Sequence, residues 1–540
     1  MDKKGFVLFV LHSHLPFIYH PEYNEALEER WLFEAVKNSY LPLLLALEEM
    51  KNYDISITIS FSGTLLTMLT NDFFKERIYR DLKRTIELGE KEIERTKHSI
   101  FYKPAKFIYD NYLKVFNRFN ELNGDILKGF KDLANQNKIE IITSNLTHSI
   151  SPFYLFEESN KKLLEYQIYK AIDNFSKYFG FLPKGMWLPE CAYYENLDEI
   201  LVKYNIKYTF LEYHGILFSR SKVKYGTFVP YLTKNNLVIF GRDRESSKQV
   251  WSAKEGYPGD FFYREFYRDI GFDLDFDYIK NYIHESGTRV DTGYKYYRIT
   301  GSDVELSKKE VYNPDLALKK ALEHASNFIF NRERQCEYWQ DKLKLNIPLA
   351  ITAMYDTELF GHWWYEGIYF IKNIIKLIND NPNYLVSLTT PSKYLDMLKN
   401  NNFKMDVIEP NSSSWGWKGY YEYWLNGSVD YMYRHININS QELINLIKNS
   451  DNNNKELLNY ALYEIMQAQG SDWPFIVFTG QVSSYGHYRF KYHISNLIKI
   501  INTLKNNNNE SSNLSNLFVN SHSYKFFNIN VDEFKELILK

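Results

Sequence analysis

Short apolar runs alternate with longer amphipathic stretches over the first four hundred residues. Residues 6–11, 55–59, 138–143, 185–188, 208–211, 238–240, 349–355 and 386–388 read as strands by length and apolar content. Most are continuous in hydrophobicity rather than alternating, as strands covered on both faces are. Between them the period changes to helical. Residues 28–51 place Trp31, Leu32, Ala35, Val36, Leu41 and Leu44 on one side. A further helix runs through Met68, long polar helices fill 72–136, an amphipathic helix occupies 160–178, and a helix pair is expected over 307–342. Residues 250–271 are polar, aromatic and broken by Gly and Pro, which reads as loop. Strands alternating with helices predict an α/β barrel or a doubly wound sheet.

The character changes near residue 400. Asn-rich connections separate helical stretches at 440–449, 455–469 and 488–505, so we expect a first domain over 1–400 and a helical one over 401–540. The polar tract 506–513 is expected to be a mobile loop. No repeat period is evident.

Composition removes several classes. A chain of 540 residues with a formal net charge of −2 presents no basic field for nucleic acid. Its two cysteines, Cys191 and Cys336, fit a reducing compartment and exclude a disulfide framework. The apolar start at 5–11 leads into His12 without a cleavage site, and no run approaches the ~20 residues of a membrane span. The expectation is a soluble, cytoplasmic protein without membrane partners.

Candidate chemistry collects where strands end. His12-Ser13-His14 follows the first, Asn145-Leu146-Thr147-His148 the third, Pro189-Glu190 the fourth, Gly241-Arg242-Asp243 the sixth and Asp356-Thr357-Glu358 the seventh. Reactive groups gathered from many strand ends favour a barrel, which keeps its site at that face. Glu190 read alone is as compatible with a turn or helix cap as with catalysis. Together with Asp356 it supplies the two carboxylates of a glycosidase, with Glu358 an open alternative to Asp356 because the two share a side if the chain stays extended. His12, His14 and His148 are types that ligate metals, but contact with a polar substrate is the favoured reading and no metal is expected. Trp251, Trp363-Trp364, Trp415-Gly416-Trp417, Trp424 and Trp473 lie beside Gly and polar residues, a setting that suits the apolar faces of sugar rings.

These segments, in order along nearly the whole chain, resemble glycoside hydrolase family 57, in particular its branching-enzyme-like branch. The matching pieces are His12-Ser13-His14-Leu15-Pro16, Thr147-His148, Gly185-Met186-Trp187-Leu188-Pro189-Glu190, Gly241-Arg242-Asp243, the tract from Trp251 to Asp260, Asp356-Thr357-Glu358-Leu359-Phe360-Gly361-His362-Trp363-Trp364, Ser414-Trp415, Trp424-Leu425-Asn426 and Ser471-Asp472-Trp473-Pro474-Phe475. The resemblance implies an incomplete TIM-like (β/α)7 barrel followed by a helical C-terminal domain that completes the substrate cleft. It implies retaining chemistry on α-1,4-glucans such as glycogen, amylose and maltooligosaccharides, without cofactor. Carried over by motif, Glu190 is the nucleophile and Asp356 the general acid/base. His12, His14, His148, Trp251, Trp415, Trp424 and Asp472 line the subsites, and Trp31, Arg242 and Trp363 join the expected substrate contacts.

The expected activity is 1,4-alpha-glucan branching by double displacement, with α-amylase-like hydrolysis as the alternative. One departure bears on that choice. Branching members carry a long tyrosine-bearing loop after the fifth strand, whereas here residues 212–239 are short, with Tyr225 and Tyr231 as candidates. Remoter readings are a metal-dependent hydrolase or deacetylase using His12, His14 and His148, and a glucan-binding module without turnover.

Overall fold

The computed structural model describes residues 3–252, 255–450, 454–506 and 523–539. These form two compact units. The first comprises Met1–Ile59, Met68–Ile141 and Asp243–Phe403, and the second Ser60–Thr67, Ile142–Arg242 and Lys404–Lys540.

Nine strands are present among the described residues: β1 (Gly5–Ser13), β2 (Ile57–Phe61), β3 (Ile139–Ser144), β4 (Met186–Trp187), β5 (Tyr208–Leu211), β6 (Tyr231–Leu232), β7 (Val238–Gly241), β8 (Leu349–Asp356) and β9 (Val386–Leu388). The division between units falls inside β2 and β3, so each unit holds part of both. In the first unit the sheet order runs β3–β2–β1–β8, with β9 added parallel to β1. In the second, β3 pairs with β4 in parallel, a parallel bridge at Gly185 and Tyr208 continues to β5, and β5 pairs with β7 in parallel. The two-residue β6 adds to β7 in antiparallel. The apolar continuity of the runs is explained by burial: every residue of β2, β5 and β7 is buried, and eight of the nine in β1.

In the first unit, aromatic rings close over the sheet. Phe9 packs against Tyr355, Phe360 and Phe328, and Trp364 lies on Phe360 and Phe370. Two helices here depart from the expectation. The pair foreseen over 307–342 is one helix, Pro314–Leu343, preceded by a single turn at Leu306–Lys308. Asn313 caps it, Pro314 occupies its first turn, and no Gly or Pro follows to break it. The stretch 28–51 carries five residues of π-helix at Val36–Tyr40 between Glu29–Ala35 and Leu41–Glu49. Such turns shift the register of every side chain beyond them and recur at functional sites. The described residues of the tract 250–271 are mostly irregular, although the helix Arg244–Trp251 reaches into the first of them.

In the second unit, Trp187, Phe210, Tyr208 and Phe240 stack between strands. Helices Asp430–Asn449, Lys455–Ala468, Asp472–Thr479 and Ser483–Asn506 make up most of the described residues beyond 404. The first starts ten residues ahead of the expected 440, and the second ends one short of 469. The expected loop 506–513 lies, beyond Asn506, outside the described residues. A buried polar cluster fixes the helices: His493 Nδ1 and Glu464 Oε2 are 2.5 Å apart, and Asn496 donates to the other Glu464 oxygen at 2.9 Å. A buried carboxylate is tolerated only with such partners. No helix among the described residues is long and apolar enough to cross a membrane.

Candidate active site

In the second unit the site is organised by the end of β4. Pro189 has no N–H to donate to a sheet and stops the strand after Trp187. The chain then enters a tight turn, Pro189–Cys191, closed by Cys191 N–H to the Leu188 carbonyl at 2.8 Å and Ala192 N–H to the Pro189 carbonyl at 3.0 Å. Within it Glu190 has φ 56° and ψ 24°, and Cys191 has φ 50°. Left-handed backbone at two successive non-glycine residues costs on the order of 1–3 kcal/mol each and persists where surroundings enforce it. Cys191 is held by full burial. Glu190 is held by Trp415, whose backbone N–H donates to the Glu190 carbonyl at 3.0 Å while its indole Nε1–H donates to Glu190 Oε2 at 2.8 Å.

A third left-handed residue completes the surroundings. His148, at φ 56°, brings Nδ1 to 3.9 Å from Glu190 Oε1 and 2.8 Å from Ser471 Oγ. The segment before it is anchored by Thr147, which donates through N–H and Oγ1 to Gln167 Oε1 at 3.1 and 2.8 Å. Gln167 is buried and its amide nitrogen donates to Gln469. Arg242 lies over the Trp415 ring at 5.1 Å, fixed by Glu212 at 2.9 Å, and Trp187 meets the same indole edge-on at 4.9 Å. The result is a carboxylate with one oxygen on an indole N–H, beside an imidazole and within an aromatic wall.

In the first unit, β1 and β8 run parallel with His12 opposite Asp356. Asp356 is the last residue of β8, and the chain turns at Thr357–Leu359 rather than staying extended. Asp356 and Glu358 therefore do not share a side through strand alternation, which was the condition that left them equivalent in the sequence. Their settings differ. Glu358 Oε1 accepts from the Tyr40 hydroxyl and from His14 N–H at 3.3 Å, and burial together with the charge of Asp356 raises its pKa to about 8. Ser13 and Thr357 share a hydroxyl contact of 2.7 Å that ties the two strand ends together. His12 is buried and kept neutral by desolvation and by His14, whose ring stacks near it at 6.1 Å. A neutral imidazole suits hydrogen bonding to a hydroxyl.

The π turn explains this arrangement. It aims Tyr40 at Glu358, Ser39 Oγ at the backbone N–H of His362 (3.1 Å), and Asn38 at Tyr112. Gly361 packs so closely on it that a Cβ there would lie 1.8 Å from the Asn38 carbonyl, and its φ is +98°. Burial and the cations Lys295, Arg264 and Lys37 push the His362 pKa down to about 3.

The remaining expected contacts fall into two groups. Trp251 and Trp363 are more than half exposed, and Trp363 stacks on Phe266 at 4.6 Å and 20°. Trp31, Trp415 and Asp472 are partly exposed. Trp424 is 1 % exposed, packed with Ile150, Ala192 and Phe475. Trp473 is equally buried and donates through Nε1 to the Gln467 carbonyl at 2.7 Å. Among the described residues no three of His, Cys, Asp and Glu are grouped as a metal site requires. Sequence reasoning missed Tyr40, Gln167, Glu212 and Ser471. Gln167 carried a signal: it is a polar residue on the apolar stripe formed by Leu163, Leu164, Ala171 and Ile172.

Residues 8–409 match the model of glycosyl hydrolase family 57, and residues 434–534 match that of the 1,4-alpha-glucan branching enzyme C-terminal region. A solved alpha-amylase of Thermotoga maritima is 37% identical, covers 99% of both chains and superposes with a TM-score of 0.90. A 1,4-alpha-glucan branching enzyme of Thermococcus kodakarensis is 29% identical over 93% of this chain and 74% of its own length. Its solved structure gives a TM-score of 0.82 over 93% of this chain and 90% of that chain, and a branching enzyme of Pyrococcus horikoshii gives the same score over 99% and 95%. The parallel strands, their helices and the helical C-terminal region are those of the incomplete (β/α)7 barrel foreseen from sequence. The chain belongs to glycosyl hydrolase family 57.

Proposed function

We propose that the protein is a retaining α-1,4-glucan-active enzyme that transfers glucan segments, forming α-1,6 branches, with Glu190 as nucleophile and Asp356 as general acid/base. The observation that carries the chemistry is the hold on Glu190: strained backbone, with one carboxylate oxygen on the Trp415 indole N–H. A nucleophile needs a fixed direction of attack, and an ionised carboxylate is favoured by such a donor. Asp356 protonates the glycosidic oxygen while Glu190 attacks the anomeric carbon, giving a glycosyl-enzyme. Asp356 then takes the proton of the acceptor hydroxyl as that oxygen displaces Glu190. His12, His14, His148 and Arg242 are proposed to bind sugar hydroxyls, Trp31, Trp251, Trp363, Trp415 and Asp472 to complete the contacts, and Trp424, 1 % exposed, to support them from within the fold.

Transfer to a 6-hydroxyl is supported by the branching-enzyme match over 434–534 and by the curated relative. Glycogen and amylose are the proposed substrates, residues 401–540 the proposed helical domain, and the buried thiols of Cys191 and Cys336 fit a cytoplasmic setting. Hydrolysis is the second reading, favoured by the alpha-amylase at 37% identity and by the short segment 212–239, which holds only the helix Tyr213–Leu217 and β6 before β7. Incubation with amylose separates them. New α-1,6 linkages without a matching rise in reducing ends support branching; reducing ends rising alone reject it.

A further inference from the structure

The first unit contains a groove of about 550 Å³ between the helix Arg244–Trp251 and the second half of the helix Pro314–Leu343. Its volume is within the ~300–1,000 Å³ of small-molecule sites. None of the residues lining it belongs to the chemistry described above.

Three polar atoms of its lining are buried with no hydrogen-bond partner: Gln249 Oε1, Gln335 Oε1 and Arg332 Nε. Arg332 and Gln335 are nearly inaccessible, and their other groups are committed. Gln335 Nε2 donates to Asp243 Oδ1 at 2.7 Å and Arg332 Nη1 lies 3.4 Å from Asp243 Oδ2. That anchorage fixes both side chains and leaves one acceptor and one donor unused. An orphaned buried polar group costs about 1–3 kcal/mol, so three in one groove call for a complementary ligand.

The charges say what kind. Lys248 is paired with Glu255 at 2.5 Å, Arg334 with Glu337 at 2.6 Å, and Arg332 with Asp243 and, at 3.9 Å, Glu245. Every cation lining the groove has a carboxylate partner, which disfavours an anion. Two carbonyl acceptors and one N–H donor suit a neutral molecule whose hydroxyls both donate and accept. Tyr338, 56% exposed and set edge-on to Trp339 at 5.2 Å, supplies a flat apolar face.

We propose that this groove is a second, non-catalytic site for an α-glucan chain, held by hydroxyl contacts to Gln249, Gln335 and Arg332 and by a sugar face on Tyr338. The site rests on the glucan reading above. It gives the enzyme a hold on polymer separate from the bond being cleaved, on the same helix that ends in the exposed Trp251.

The test uses the full chain carrying Glu190→Gln, so that polymer is not consumed, run in native gels with and without glycogen. Adding Tyr338→Ala or Gln249→Ala should raise the apparent Kd for glycogen at least three-fold, with the melting temperature within 2 °C of the parent. Adding Tyr338→Phe, which keeps the ring, should leave binding intact. Unchanged binding in both alanine variants overturns the site and leaves the glucan reading standing. A loss shared fully by Tyr338→Phe, or one that tracks a lowered melting temperature, overturns it as a structural effect. A parent that glycogen, amylopectin and amylose all fail to retard overturns the site and the glucan reading together.

Discussion

Glu358 makes stability depend on pH in a direction opposite to most carboxylates. Its pKa lies at about 8 in the folded chain against an ordinary 4.5, because burial and the neighbouring charge of Asp356 both disfavour ionisation. The folded state thus holds a proton that the unfolded state releases. Stability from this group is complete below pH 4.5 and falls as pH rises toward 8, then levels off. At about 1.4 kcal/mol per pH unit the full loss is ~5 kcal/mol, of which ~3 has occurred by pH 7. Glu358→Gln removes the titration while keeping an oxygen that accepts from Tyr40 and His14 N–H. Thermal unfolding followed by intrinsic fluorescence, at pH 5 and pH 9, reads the difference. The variant should melt close to wild type at pH 5 and several degrees above it at pH 9. Asp356→Asn should shrink the gap, since it removes one of the two causes. A gap between Glu358→Gln and wild type that is the same at both pH values would refute the reasoning.

Three further outcomes follow from the site. Glu190→Gln should abolish turnover on amylose and on α-maltosyl fluoride alike, whereas Asp356→Asn should lose amylose but keep cleaving the fluoride, whose leaving group needs no proton; equal loss on both substrates by Asp356→Asn would sink its assignment as the acid. Trp415→Phe deletes the indole N–H on Glu190 Oε2, a hydrogen bond to a charged group worth about 1.5–3 kcal/mol, so kcat/KM should fall roughly 10- to 150-fold; a change under two-fold contradicts that role. Gly361→Ala should lower the melting temperature by several degrees, because its Cβ meets the Asn38 carbonyl at 1.8 Å and its φ is +98°; an unchanged melting curve would show that the π turn yields freely.

The parts of this molecule readable from sequence are those written locally. Continuous apolar runs mark the strands because strands buried on both faces cannot alternate, and all eight expected runs coincide with strands to within two residues at each end. The structure carries the run at 6–11 two residues further, to Ser13, because parallel pairing with β8 extends to His12 and Asp356. Where several locally plausible states compete, sequence does not decide. Nothing in Val36–Tyr40 announces a π turn, since the turn is stabilised by what it touches: Glu358, His362 and Gly361, all more than 300 residues away. The same holds for Trp424 and Trp363, both of which read as candidate sugar platforms by their neighbours, yet one is packed with Ile150 and Ala192 and the other is half exposed on Phe266. Glu190 lies between these cases. Pro189 predicts that the strand ends there, and the motif predicts a reactive carboxylate, but the left-handed turn depends on Trp415, 225 residues on. The reactive group is written in one short segment, and its orientation is written in another. A substitution at Trp415 should therefore disturb Glu190 as chemistry while leaving the strand that carries it in place.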